Sequence, residues 1–184
     1  MTIVGVDEVG RGCWAGPLVA GAVVLSKPIK GLKDSKQLSR LQRENLASEV
    51  ELSALSIGLG WVEPYEIDRL GLTESVRLAM VRAMSQIKII YDSVIVDGNY
   101  NFLSDDSKSS TLIKADSSVP EVSAASIVAK VARDNYMYKA AINYPGYGFE
   151  KHVGYGTKLH QDALIKLGVC QIHRLSYKPI AKLI

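Results

Sequence analysis

Four carboxylates in this chain stand where an apolar run stops. Asp7 and Glu8 close "IVGV", Asp97 follows "SVIV" and precedes Gly98-Asn99, and Asp116 follows "TLIKA". Runs of that kind form the central strands of α/β sheets, and ligands gather beyond the carboxyl ends of such strands. If the strands are neighbours, the four acids converge. Carboxylates held together repel and raise one another's pKa unless something positive neutralises them. An all-oxygen donor set suits a hard divalent cation, Mg²⁺ or Mn²⁺, whereas zinc takes His or Cys. Two such ions about 4 Å apart serve in-line phosphoryl displacement, one activating a water and the other stabilising the departing oxygen. Metal-assisted phosphodiester chemistry is one reading of the four acids; strand-end acids that cap helices or pair with lysines are the other. His152, His160 and His173 lack a paired thiolate and read as polar or phosphate-side residues, not ligands.

The elements that must position these acids follow from hydrophobic periodicity. Val- and Ile-rich runs predict strands at Ile3–Val9, Leu18–Leu25, Leu55–Val62, Ser93–Val96 and Thr111–Lys114. Helical spacing predicts helices near Ser39–Leu52, Pro64–Leu70, Thr73–Ile90, Glu121–Ile142 and Lys158–Leu167. In the third of these, Val76, Ala79, Met80, Ala83, Met84 and Ile87 share one face. Strands come first as a hairpin-like set and later alternate with helices, which argues for a mixed sheet flanked by helices. "SDDSKSS", Ser104–Ser110, reads as a loop tip.

One detail resists a regular strand. Side chains alternate with period two, so Asp7 and Glu8 point to opposite faces. For both to serve one metal pair, the strand must end or bulge at Glu8, or Glu8 must contribute through its backbone carbonyl. Gly10 and Gly12 permit a turn there and let another backbone approach closely, with Arg11 between them as a phosphate or structural anchor.

Composition bounds the rest. A chain of 184 residues, 47% apolar and 22% charged, is long enough to bury one substantial core. No apolar run reaches the roughly 18 residues of a membrane span. Residues 13–25 are apolar enough for a signal core, but acids precede them where a basic region belongs, so a cytoplasmic protein is expected. Cys13 and Cys170 fit neither a disulfide framework nor a zinc spacing. The net charge is only +3, yet bases cluster between Lys27 and Arg43 and again between Lys151 and Lys182. Brought together, these segments make a phosphate-facing surface; left apart, they are solvated faces.

The assembled blocks resemble the type 2 ribonucleases H, specifically the bacterial ribonuclease HII family. The resemblance rests on "GVDEVGRG" (5–12), "AGPLVAGAVVL" (15–25), "LKDSKQLS" (32–39), "VDGN" (96–99), "KADSSVPEVSAASIVAKVARD" (114–134), "YGFEKHVGYGT" (147–157) and "HRLSYKP" (173–179). It implies an α/β, RNase H-like fold: a mixed five-stranded sheet flanked by helices, then a helical C-terminal part. A single domain over 1–184 is expected, with a catalytic core to about residue 142 and a helical extension from about 143. Asp7, Glu8, Asp97 and Asp116 correspond to the family's metal-binding, catalytic acids, with two Mg²⁺ or Mn²⁺ ions expected. Gly10-Arg11-Gly12 is similar to the loop whose backbone meets the ribose 2′-OH, and Tyr155 to the tyrosine beside that sugar. The 2′-OH is what separates RNA from DNA, so such a cradle is a compact ribose sensor. Lys33, Ser35 and Lys36 are expected at substrate phosphates.

The activity implied is endonucleolytic hydrolysis of the RNA strand of RNA–DNA hybrids, and of the bond 5′ to a single ribonucleotide in duplex DNA. The ends would be 3′-OH and 5′-phosphate, and the role ribonucleotide removal by a monomer with no membrane partner. In "EVSAASIVAKVARD", Ser123, Ala124, Ala125, Ser126 and Ala129 suit a helix packed close to the sheet, and Lys130, Arg133 and Asp134 suit ion pairs. Cys13 stands where the family commonly has proline, and Val153 where it often has lysine, leaving one positive charge fewer beside Tyr155. Two other readings remain: DNA strand transfer on a related fold, which has no use for a ribose sensor, and a catalytically silent nucleic-acid-binding module.

Overall fold

The structure is a computed structural model that describes residues 1–33 and 35–184, apart from the side chain of Lys36. Asp34 and the expected substrate contact of the Lys36 side chain lie outside the described residues. Five strands make one mixed sheet: β1 (Ile3–Val9), β2 (Leu18–Leu25), β3 (Ala54–Val62), β4 (Ser93–Asp97) and β5 (Ser109–Leu112), in the order β3-β2-β1-β4-β5. β2 is antiparallel to both β1 and β3, whereas β1–β4 and β4–β5 are parallel. β1 is therefore central, and its carboxyl end points the same way as those of β4 and β5.

Helices cover both faces. On one face, Val4, Val6, Ala20 and Ala22 pack against Val76, Ala79, Met80 and Ala83 of α3 (Leu72–Met84). On the other, Val23 meets Ala47 and Val50 of α1 (Arg40–Ser53) and Ala124, Ala125 and Ile127 of α4 (Pro120–Asn143). α2 (Pro64–Leu70) leads from β3 into α3. Small residues set how close α4 lies: a Cβ on Gly5 would sit 2.1 Å from the Glu121 carbonyl carbon, and one on Gly21 2.4 Å from the Ala125 oxygen. The C-terminal part is α5 (Phe149–His152), α6 (Lys158–Leu167) and α7 (Lys178–Ala181). Phe149, Leu164 and Ile180 from these pack on Met137 and Ala140 of α4 and on Ala15. Among the described residues no helix is long and apolar enough to cross a membrane.

Two elements lie two or more residues from their expected bounds. α3 stops at Met84 and not near Ile90. The β-branched run Ile87, Ile89 and Ile90 disfavours helix, and Gln86 leaves the helix to bond Leu59 of β3 through both its amide oxygen and nitrogen. β5 lies at Ser109–Leu112 instead of Thr111–Lys114, so the end of the expected loop is strand. Lys114 takes a left-handed conformation, φ 59°, which ends the strand and turns the chain into a 3₁₀ turn at Ala115–Ser117. α5 and α7, one turn each, carried no readable period.

Candidate active site

β1 brings its two acids to the place where β4 runs out. The parallel pairing ends at Val6↔Val96, while β1 continues to Val9. Asp7 shares the face of Gly5, toward α4, and Glu8 shares the face of Val4 and Val6, toward α3. The antiparallel register with β2 runs unbroken through Asp7↔Gly21, Glu8↔Ala20 and Val9↔Val19. The strand neither ends nor bulges at Glu8, which corrects two of the routes expected from sequence. Beyond the end of β4 the sheet has an open notch, and side chains from opposite faces of β1 meet around it.

That notch is a pocket of about 130 Å³ whose walls include Asp7, Glu8, Asp97 and Asp116. A larger hollow of about 670 Å³ lies between α3 and the β4–β5 connection, away from the four acids. Size does not single out the site; the convergence of carboxylates does. Asp7 is 7% exposed, and its Oδ1 accepts the Glu8 N–H at 2.8 Å. Glu8 pairs with Arg11 at 3.1 Å. Asp97 Oδ1 accepts the Ala115 N–H at 2.7 Å, which ties the turn carrying Asp116 to the end of β4.

The electrostatics follow from this crowding. Burial, then the charges of Glu8 and Asp97, push the Asp7 carboxyl well above its ordinary range, against the pull of the Ser126 hydroxyl and the Glu8 N–H. Burial likewise raises Glu8, with Arg11 opposing and Asp97 adding. Each of these groups is thus short of positive charge. Among the described residues no three or more Asp, Glu, His or Cys are already gathered into a set that could hold a metal ion. Each of these acids meets a neighbour of its own: Glu8 meets Arg11, Asp97 accepts from Ala115, and Ser117 Oγ lies 3.3 Å from Asp116 Oδ1.

Beside the pocket runs the glycine turn. Gly10 has φ 94°, and a Cβ there would sit 2.4 Å from Arg133 Nε, so only glycine fits. Gly12 is exposed, with nothing within 4 Å of where its Cβ would be. Cys13 bridges to Tyr155, so the turn and the tyrosine are adjacent. Tyr155, between Gly154 and Gly156, is 39% exposed. Burial and the neighbouring Cys13 thiol push its phenol up to about 12, which keeps it protonated as a donor. Lys130 Nζ lies 5.7 Å over the Tyr155 ring, so a cation stands beside the ring although position 153 is valine.

The "LKDSK" block divides. Lys33 is exposed, whereas Ser35 is buried on the pocket wall with its Oγ 3.1 Å from Ser126 Oγ. The helix that follows starts with Ser39 as N-cap in a capping box with Gln42. Ser126, expected only to permit close packing, is a polar partner of Asp7. Lys130, one turn later on α4, faces the same pocket while paired with Asp134 at 2.8 Å. The readable signal was their spacing: positions four apart on a helix share a face.

The three histidines depart from the sequence reading. None lies at the surface, where a phosphate contact would need it; His152, His160 and His173 are buried together, with the rings of His152 and His160 stacked 4.4 Å apart. His160 Nδ1–H donates to the Tyr155 carbonyl at 3.0 Å, its Nε2 accepts from His173 Nε2–H at 3.0 Å, and His173 Nδ1 accepts the Cys170 N–H at 2.9 Å. Desolvation lowers all three, His160 to about 4, so they are neutral. Arg133 is also no ion pair. It is fully buried and donates to the carbonyls of Pro17, Ala15 and Val153.

Comparison with known proteins is consistent from end to end. The family model described as Ribonuclease HII matches residues 4–180. A ribonuclease HII from Nitrosococcus oceani is 45% identical over 182 residues, covering 98% of this chain and 90% of that one. One from Shewanella pealeana is 47% identical over 180 residues, 96% and 87% of the two chains. The crystal structure of the ribonuclease H2 from Pyrococcus horikoshii superposes with a TM-score of 0.85 at 31% identity, covering 100% of this chain and 97% of that one.

Proposed function

The chain belongs to the ribonuclease HII family and is a ribonuclease H, and on that footing we propose that it cuts the phosphodiester 5′ to a ribonucleotide, in duplex DNA and in RNA–DNA hybrid. The observation that carries this reading is adjacency: the four-acid pocket and the Gly10–Gly12 turn with Tyr155 share one wall. A ribose held by the second presents its 5′ phosphate to the first.

In this reading Asp7, Glu8, Asp97 and Asp116 hold divalent cations, Mg²⁺ or Mn²⁺. The donor chemistry fits: four carboxylates, with Asp7 and Glu8 short of positive charge. Bound there, such ions would supply an activated water for in-line attack and charge stabilisation for the leaving 3′-oxygen, chemistry that gives 3′-OH and 5′-phosphate ends. Glu8, now paired with Arg11, would hold the cation in place of that pair, and Arg11 would then be available to a substrate phosphate. Ser126, itself held by Ser35, keeps Asp7 turned into the notch. Asp97 sets the depth of Asp116 through the Ala115 N–H. Tyr155 offers a flat ring and a protonated hydroxyl beside the sugar, and Lys130 and exposed Lys33 add positive charge for the backbone. All these groups come from one chain, so the reading needs one copy.

The test is cleavage of end-labelled duplex DNA with one ribonucleotide, in Mg²⁺, in Mn²⁺ and with chelator. Metal-dependent cutting at that nucleotide, with an all-DNA duplex left intact, is expected. Binding without cutting under every condition overturns the assignment.

A further inference from the structure

The segment His173–Tyr177, from the block "HRLSYKP", has no part in the chemistry above, yet it touches both walls of the proposed ribose site. Arg174 is fully buried and has no carboxylate partner among the described residues. It spends its charge on backbone carbonyls in and after the glycine turn: Nη1 donates to the Arg11 carbonyl at 3.2 Å and Nε to the Gly16 carbonyl at 3.0 Å. Nη1 also donates to the Tyr177 hydroxyl at 2.8 Å, and that hydroxyl donates onward to the same Arg11 carbonyl at 2.5 Å. On the other wall, His173 holds His160, which holds the Tyr155 carbonyl.

A carbonyl gripped by two donors fixes its whole peptide plane. The Arg11 carbonyl and the Gly12 N–H belong to one trans peptide and point in opposite directions. With the oxygen directed at Arg174 and Tyr177, the N–H points the opposite way, one residue before Cys13, which bridges to Tyr155. No acceptor for the Gly12 N–H exists among the described residues, and the space around Gly12 is open. A carbonyl bonded to a cation also polarises its peptide, which strengthens the N–H as a donor.

Resting on the function proposed above, we propose that Arg174 and Tyr177 are positioning residues for ribose discrimination: they aim the Gly12 N–H at the 2′-oxygen of the ribonucleotide without touching substrate. Holding a buried, uncompensated guanidinium is costly, and part of that charge goes to the Arg11–Gly12 peptide. The Tyr177 hydroxyl is the removable part, since Tyr177→Phe deletes two hydrogen bonds and leaves the ring against Arg174.

The experiment measures discrimination as a ratio. Cutting of the one-ribonucleotide duplex in Mg²⁺ is titrated with unlabelled all-DNA duplex of the same sequence, giving the competitor's inhibition constant relative to the substrate's KM. Wild type, Tyr177→Phe and Arg174→Lys are compared, with thermal unfolding alongside. The active fraction cancels in this ratio, so a merely destabilised variant keeps the wild-type value. The ratio is expected to shrink roughly tenfold in Tyr177→Phe, the scale of one hydrogen bond, and to shrink in Arg174→Lys as well. An unchanged ratio in both variants overturns the inference while leaving the cutting activity standing. A wild type that does not cut overturns the function first and this inference with it.

Discussion

Replacing His160 with Gln tests whether the buried imidazoles are neutral, and its size can be worked out beforehand. An unfolded His titrates near 6.5, and His160 in the fold titrates at about 4. The folded pKa is depressed, so the contribution to stability is complete above about pH 6.5 and is lost as pH falls toward about 4. At pH 5.5 the unfolded imidazole is about 90% protonated and the folded one almost unprotonated, which costs about 1.4 kcal/mol relative to pH 7.5. His152 and His173 are shifted in the same direction and add to the wild-type slope. Asp7 and Glu8, whose carboxyls are raised, act with the opposite sign as pH falls toward their ordinary range. The imidazole term is therefore read as a difference. Guanidinium unfolding of wild type and His160→Gln at both pH values should show the gap between them narrowing by about 1.4 kcal/mol at pH 5.5. A gap that stays constant refutes the neutral histidine chain behind Tyr155.

Asp7→Asn should abolish metal-dependent cutting, by on the order of 10³-fold, because several kcal/mol of charge stabilisation is lost at about 1.4 kcal/mol per factor of ten. The same variant should melt higher than wild type, since burial and two like charges disfavour the Asp7 carboxylate while Asn keeps an acceptor for the Glu8 N–H; a lower melting temperature contradicts the electrostatic account. Gly5→Ala and Gly12→Ala should separate stability from activity. The first drives a methyl into the backbone of α4 and should cost roughly 3 kcal/mol in denaturant unfolding. The second meets no atom within 4 Å, so its stability should match wild type while cutting at a single ribonucleotide falls. Adding Mg²⁺ to the free protein should raise its melting temperature, and that rise should vanish in Asp7→Asn.

The acids at positions 7 and 97 were legible because each ends an apolar run that forms a strand inside the sheet, and parallel neighbours carry their carboxyl ends to one edge. Asp116 was legible as an acid after such a run, but its strand, β5, is the sheet's edge and the acid sits past it in the 3₁₀ turn. How Glu8 joins them was not legible, because it depends on β4 stopping opposite Val6, a register between segments ninety residues apart. The glycines were readable as a turn, but the base of that turn was hidden. Arg133 and Arg174 look like surface charges in sequence and become buried only because backbone carbonyls surround them. The histidines converge through α5, α6 and the turn at Cys170, elements too short to announce themselves by period. Ser126 was read as a packing residue and Ser35 as a phosphate contact, whereas the two hydroxyls meet each other on the pocket wall; a small hydroxyl looks alike in all of these roles.

The central claim is that the cutting acids and the ribose detector are one rigid unit. A set of duplexes in which a single ribonucleotide is moved one position at a time, cut in Mg²⁺ and mapped at nucleotide resolution, tests it directly. The cut should move with the ribonucleotide and stay on its 5′ side at every position. Cuts at a fixed distance from the duplex end, or on the 3′ side of the ribonucleotide, would contradict it.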